Sequence, residues 1–440
     1  MNQQQITQML AKHGPTTSLI KTLVDEHRPI NAHTSKLYSE YIGKVPIKKR
    51  TVTDPLKVNH KLANDYRADI IDSVVGYMFG NPVVYTIEGK DYSEANLDRV
   101  NQEMDSFQIR NCLDDLDAQT GKYASICGYT GRLLYISGAG KESAMVIPPW
   151  ECKFIYSGSL LEPEYAMRYY EMEHDNDKVY MRVEWYDRAF VTYYQENEAG
   201  HYEQTDQRRH GFKGIPLIEF RNNEERQGDF EKVRELIDAY DLLMSDAQNE
   251  IEEFRNAYMV FVGAEITTAF LEQARQSGAI QLPEGSNAEF LTKSINDAFI
   301  QHQKETLNEN IYKFAKTVDM SSEGFASTSG EARKWRLLGM EHKAIMKERK
   351  FSQALRQMFT VLCTAWQTKG VNIDPESIYW TFTRSIPVDL LHDAEAAVKL
   401  RGMVSERTRL TQLATVDDVE AELEQMAEDR EEGRIGSGGA

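Results

Sequence analysis

The chain is 440 residues long, 41% hydrophobic, and carries 51 Lys and Arg against 69 Asp and Glu, a formal net charge of −18. The apolar share supplies the core of two or three domains and excludes a disordered chain, while the acidic balance excludes a protein that coats nucleic acid by neutralising phosphates, which needs a basic surface. Four scattered cysteines (Cys112, Cys127, Cys152, Cys363) without a Cys-x-x-Cys pair exclude a zinc knuckle and a disulfide framework, and apolar runs such as Ala257 to Ala264, far short of the roughly 18 residues of a membrane span, leave no membrane partner expected.

Residues 1–45 read as polar helical turns with the scattered anchors Ile6, Leu10, Leu19 and Leu23, and Lys44 to Lys57 as a basic, proline-punctuated linker; together they are expected to form an N-terminal arm. The polar start Met1-Asn2-Gln3-Gln4-Gln5 carries no secretion signal, so the protein is expected to stay where it is made. Leu62, Ile70, Ile71, Val74, Val75 and Met78 recur at helical steps until Gly80-Asn81-Pro82 stops them. A strand is expected at Val83 to Glu88 and a helix at Leu97 to Ala118. Segments rich in β-branched and aromatic residues then predict strands at Gly131 to Ser137, Ala144 to Ile147, Lys153 to Tyr156, Ala166 to Glu173, Lys178 to Tyr186 and Phe190 to Gln195. Residues 61–228 are therefore expected to form an α+β domain with a mostly antiparallel, hairpin-built sheet.

Gly228-Asp229 opens a long helix with Asp229 as its expected N-cap; carried to Tyr258 it would span about 45 Å. Met259 to Leu291 breaks into a strand, a helix (Thr267 to Gln276) and strands flanking Pro283-Glu284-Gly285, a small α/β insert. Helix periodicity resumes at Asn296 and runs to Val318. The small polar residues and glycines of Ser321 to Gly330 must form a loop. The next helix, Glu331 to Lys369, would reach about 58 Å on the apolar stripe Trp335, Leu338, Ile345, Phe351, Leu355, Phe359, Leu362 and Trp366. Tyr379 to Phe382 reads as a strand, Asp389 to Gly402 and Val416 to Glu431 as helices, and Gly433 to Ala440 as a mobile tail.

No catalytic or metal-binding constellation emerges, and no cofactor is expected. Gly138-Ala139-Gly140-Lys141-Glu142 lacks the first glycine of a nucleotide loop and has Glu142 where Ser or Thr must reach magnesium. Glu171-Met172-Glu173-His174-Asp175 clusters carboxylates with a histidine at an expected hairpin tip, where such residues are common. A metal-dependent nuclease would need carboxylates gathered on strand ends inside a pocket; here they decorate helices.

Three stretches carry a resemblance. The first is Asn64-Asp65-Tyr66 with Ile70-Ile71-Asp72 and Val75 to Pro82. The second is Pro216 to Glu225 with Gly228-Asp229-Phe230-Glu231 and Ile237 to Asp241. The third is Ser327 to Gly330 with Trp335 to Glu341 and Lys347 to Phe351. In this order they resemble the portal proteins of tailed bacteriophages, in the family of siphophage portals from Gram-positive hosts. The resemblance implies a mainly helical α+β portal fold. Its parts would be an arm and wing (1–228), a first stem helix (229–258), a clip (259–294), a second stem helix (295–318), a tunnel loop (319–330), a long tunnel helix (331–370), a wing return strand (371–390) and a small crown with the tail (391–440).

It also implies a dodecamer at one capsid vertex, assembled in the host cytoplasm, that passes double-stranded DNA. Its partners would be the terminase large subunit, a head–tail adaptor, the major capsid protein and scaffold. The chain would not be an enzyme; the alternative is a capsid ring or adaptor that never translocates DNA.

A channel must hold DNA without gripping it, so an acidic ring suits sliding and basic residues matter by position. The loop residues Ser321, Ser322, Gly324, Phe325, Ser327, Thr328, Ser329 and Gly330 are expected to meet DNA. Lys304, Lys313, Lys316, Arg333, Lys334 and Arg336 are candidate lumen cations, with Lys343, Lys347, Arg349 and Lys350 further along the long helix. The bland reading of these cations is a solvated face paired with Glu331, Glu341 and Glu348. Glu265, Glu272, Arg275, Glu284 and Glu289 are the candidate docking charges of the clip.

Overall fold

The computed structural model describes residues 3–53, 57–89, 92–157, 162–173, 179–255, 258–263, 266–278, 282, 284–291, 297–320, 330–385, 395, 397–410, 413, 416 and 419–431. The chain begins with α1 (Gln3–His13) and α2 (Thr17–Tyr41). Thr16 opens the second, its hydroxyl accepting from the Leu19 amide at 3.3 Å, one of the orphan donors of a helix start. Then come α3 (Tyr66–Phe79), β1 (Val84–Ile87), α4 (Glu94–Asn111) and α5 (Leu113–Cys127). The single helix expected over Leu97 to Ala118 is two, because Cys112 adopts a left-handed φ of 44° and turns the chain between them.

Eight strands follow: β2 (Tyr129–Ile136), β3 (Glu142–Ile147), β4 (Cys152–Ile155), β5 (Tyr165–Glu173), β6 (Val179–Tyr186), β7 (Phe190–Glu196), β8 (Tyr202–Arg209) and β9 (Leu217–Arg221). They make two antiparallel sheets, β3-β2-β9 and β4-β5-β6-β7-β8, so the hairpin-built sheet is present as two. β8 was not expected: Glu203, Gln204, Asp206, Gln207 and Arg208 make it polar. Among the described residues it pairs only with β7, and charge on such an edge strand discourages pairing with other chains.

The second half contains α6 (Arg234–Arg255), β10 (Tyr258–Val262), α7 (Thr268–Ser277), β11 (Asn287–Leu291) and α8 (Asp297–Ala315). It continues with α9 (Gly330–Thr368), β12 (Ile378–Thr381), α10 (Glu406–Leu410) and α11 (Val419–Glu431). Helices outweigh strands, and the class is mixed α+β. β10 pairs antiparallel with β11, closing the insert between α6 and α8, and β12 returns to pair with β1. α6 starts only after a 3-10 turn at Glu231–Val233, so at 22 residues it spans about 33 Å rather than 45 Å. The tail and half of the helix expected at Asp389 to Gly402 lie outside the described residues.

Packing overturns the expected N-terminal arm. Ile6, Leu10, Leu19, Ile20, Leu23 and Val24 are buried with Met167, Tyr169, Val183, Trp185 and Tyr194 on one face of the five-stranded sheet. The alternate residues Ala166, Tyr186 and Val191 face the other way, into a core shared with Leu133, Ile147 and Leu217 of the second sheet, as the two-residue period of a strand requires. The largest core surrounds α9, where Phe351, Leu355, Phe359, Leu362 and Trp366 are buried as expected against Phe107, Phe220 and Ile378.

The first half of α9 departs from the expected stripe. Leu337, Met340 and Ala344 are buried against Val74, Tyr77 and Met78 of α3, while Trp335 is 74% exposed and Leu338 40%. Both registers recur at helical spacing, and contact with α3 selects one. Trp366→Ala should cost about 3–5 kcal/mol, whereas Trp335→Ala should change the stability of the unassembled chain by no more than about 0.5 kcal/mol; urea unfolding of the two variants checks the contrast.

Candidate functional site

Of the loop singled out from the sequence, Ser321, Ser322, Gly324, Phe325, Ser327, Thr328 and Ser329 lie outside the described residues, and Gly330 is the first residue of α9. Its flanks are defined. α8 ends at Ala315, Lys316 turns into the left-handed region at φ 55°, and the Thr317 amide donates back to the Tyr312 carbonyl at 3.1 Å. Lys313 and Lys316 are exposed on this end, Lys304 is half-buried further back, and Arg336 is exposed on the first turns of α9. Arg333 and Lys334 belong to α9, with side chains outside the described residues.

Lys343 and Lys347, offered by the sequence as cations that could face DNA, do something else. The Asp229 carboxylate, buried, lies 2.5 Å from the Lys347 Nζ and 3.2 Å from the Lys343 Nζ. Lys347 also donates to the Ser125 hydroxyl at 2.5 Å, and Lys343 to the Ala315 carbonyl at 2.7 Å, a cation placed on the last carbonyls of α8 where the helix dipole favours it. Asp229 accepts from the Asn222 side chain at 3.1 Å but from no backbone amide of the following turn, so it is not the expected N-cap. Instead the Gly228 amide donates to the Glu231 carboxylate. Lys350 pairs with Glu224, and Arg384 with Glu341 and Glu348.

The backbone delivers Asp229 to this place. Gly128 turns α5 into β2 at φ 88°, and a Cβ there would stand 2.0 Å from the Arg226 carbonyl. Glycine thus lets the 222–229 loop lie on the end of α5. The Asn222 amide donates to the Gly128 carbonyl at 2.9 Å and the Asp229 amide to the Ser125 carbonyl at 2.8 Å.

Besides the core they share with α3, α6 and α8 are held by polar side chains of α3 and α2 that follow no sequence pattern. Arg67, 1% exposed, reaches Asp238 at 2.5 Å and Glu40 at 3.4 Å, and Glu40 also holds Arg234. Tyr66 donates to Asn308 at 2.6 Å and Tyr312 to Asp69 at 2.9 Å. The two helices flanking the insert are therefore keyed to one platform. In the insert, Glu272 and Arg275 on α7 and Glu284 in the following turn are exposed, Glu289 lies on β11 with its side chain outside the described residues, and Glu265 lies outside them altogether.

Gly138 to Lys141 is the turn of the β2–β3 hairpin, the Ser137 amide donating to the Lys141 carbonyl at 2.8 Å. Glu142 is buried against Lys369 at 2.6 Å. Glu171 to Glu173 end β5, and His174 and Asp175 lie outside the described residues. Among the described residues no group of three or more His, Cys, Asp and Glu could hold a metal ion, and no helix is long and apolar enough to cross a membrane.

The Asp229 contact is held together by charge. Burial pushes its carboxyl up, but Lys343, Lys347 and the Lys347 and Asn222 hydrogen bonds outweigh burial and hold it below the usual carboxylate range. Burial lowers Lys347 to about 8 against the pull of Asp229. Because the folded pKa of Asp229 is depressed, its stabilisation is complete above the unfolded value of about 4 and is lost as pH falls through the folded one.

Asp229→Asn should destabilise by about 3–5 kcal/mol, because Lys347 is left buried without its anion. Adding Lys347→Met should restore most of that, and the gap between wild type and Asp229→Asn should narrow below about pH 4 as Asp229 takes up a proton and again toward alkaline pH as the buried Lys347 loses its own; denaturant unfolding across pH reads all three. Kinship accords with this architecture. A family model described as phage portal protein, SPP1 Gp6-like, matches residues 20–434. The portal protein of Bacillus phage SPP1 is 25% identical over 448 residues, covering 94% of this chain and 86% of that protein. The portal protein of Clostridium phage phiCD119 is 25% identical over 415 residues, covering 87% of this chain and 89% of that protein. With the family match running across nearly its whole length, the chain belongs to the SPP1 Gp6-like phage portal proteins.

Proposed function

We propose that this chain is one subunit of a dodecameric ring at a single capsid vertex, through which double-stranded DNA is packaged and later ejected. Terminase and a head–tail adaptor would dock on it, with the major capsid protein and scaffold around it. In this reading residues 1–228 with the return at 371–390 form the wing, α6 and α8 the stem, 259–294 the clip, 319–330 the tunnel loop, α9 the tunnel helix, and 391–440 a small crown. Family membership supports the capsid and packaging role.

The observation that supports the ring is a set of large apolar side chains exposed to solvent on α6, α8 and α9. Leu242 and Ile251 on α6, Phe299 and Phe314 on α8, and Trp335, Leu338 and Met346 on α9 are all exposed in the single chain. Helices repeated around an axis bury such side chains against their neighbours. With a net charge of −18 per copy, the lumen repels phosphate except at placed cations such as Lys313, Lys316 and Arg336. That favours sliding over gripping, since each phosphate neutralised adds affinity and hence a barrier.

Deleting Ser321 to Gly330 should leave rings intact and block DNA packaging or retention. Electron microscopy of purified rings together with a packaging assay tests it. Normal packaging by the shortened chain removes the loop from the mechanism, and a channel too narrow for a duplex removes the translocation role altogether.

A further inference from the structure

Beside the C-terminal half of α9, a cleft of roughly 910 Å³ opens between that helix and the ends of β6, β7 and β8. Its floor is apolar, with Phe212, Ile215 and Val361. Its rim carries three exposed cations, Arg188, Arg209 and Lys213, against one carboxylate, Glu162. Among the described residues none of these cations has an ion pair; Arg209 only lies over the Phe190 ring, at 5.3 Å. In a chain with 18 more acidic than basic groups, three unpaired cations around one hollow stand out.

The matching surface is on α4. Phe107, Met104 and Val100 bury its inner side, while Asp98, Gln102, Asp105 and Ile109 recur at steps of four, three and four along its outer side, all exposed. Ile109 is 78% exposed, and Asp114, exposed, follows at the start of α5. No basic partner holds Asp98, Asp105 or Asp114 among the described residues. An apolar knob edged by carboxylates is thus the complement of an apolar floor edged by cations.

The two surfaces also sit where a closed ring needs them. Phe107 of α4 packs on Trp366, with ring centroids 5.9 Å apart. The cleft instead borders Gln357, Val361 and Thr368, which on a helix of 3.6 residues per turn lie about 140–200° around from Trp366. Donor and acceptor faces therefore flank opposite sides of the same helix, and a head-to-tail contact between opposite faces can close on itself.

We infer that the cleft bounded by Arg188, Arg209 and Lys213 receives the Asp98–Asp105–Ile109–Asp114 face of the neighbouring copy, forming a second, charge-steered ring contact outside the stem. The inference deepens the ring reading and rests on it. Like charges forced together across an interface suppress a pairing strongly, so Arg188→Glu/Lys213→Glu should cut the ring fraction by about tenfold at low salt. Adding Asp105→Lys/Asp114→Lys to the same chain should restore it. Native mass spectrometry reads the assemblies, and circular dichroism melts confirm that each variant is folded.

Cys112 supplies an independent measurement, being exposed beside Asp114 while Cys127, Cys152 and Cys363 are buried. Lys213→Cys should form intermolecular disulfides under mild oxidation, seen as a ladder on a non-reducing gel that Cys112→Ser abolishes. Rings that form equally well with the reversed cations, or a ladder indifferent to Cys112, overturn this contact and leave the ring reading standing. So does reversal that releases bound duplex DNA from intact rings, which would make the cleft a phosphate site. A wild-type chain that never assembles overturns the ring reading itself.

Discussion

One buried carboxylate organises the middle of this chain. Asp229 stands where the sheets end and the helical half begins, and the two lysines it neutralises come from a helix more than a hundred residues later. Through Ser125 and Ala315 the same lysines touch α5 and the end of α8, so four stretches of chain meet at one charge. A buried ion pair of this sort is weak evidence for net stability, since apolar replacement can equal it. Removing one partner alone is nevertheless costly, so the pairing dictates which helix faces which.

Around that node the fold combines two kinds of contact. Aromatic and aliphatic cores hold the C-terminal half of α9 and the two sheets, and a further core joins α3, α6 and α8 through Ile70, Ile71, Ile237, Tyr240 and Ile311. Arg67, Glu40, Tyr66, Tyr312 and Asp69 add directional bonds across the same joint. Burial joins these helices, and the polar bonds fix which face meets which.

Most strands and long helices were legible because periodicity and turn residues report local structure: the strands from Gly131 to Gln195, the insert, and the extent of α9 all follow from them. What escaped was set by contacts distant in sequence. Lys347 lies within the buried side of α9 yet reads as surface, because its anion is 118 residues away. Trp335 reads as core by its spacing, but α3 meets the adjacent register. The first 41 residues read as an arm because their polar half is long and the sheet that covers their apolar half begins more than a hundred residues later. β8 has no apolar alternation to find, being an edge strand. Of the candidate site, the cations beside the loop could be named but not oriented, and Arg67 with its acidic partners left no pattern at all.

The seating of α9 on α3 has a mechanical corollary. From Leu337, the first of its residues buried against α3, back to Gly330 is 7 residues of helix, about 10 Å. A force taken up at that end therefore passes within two turns to α3.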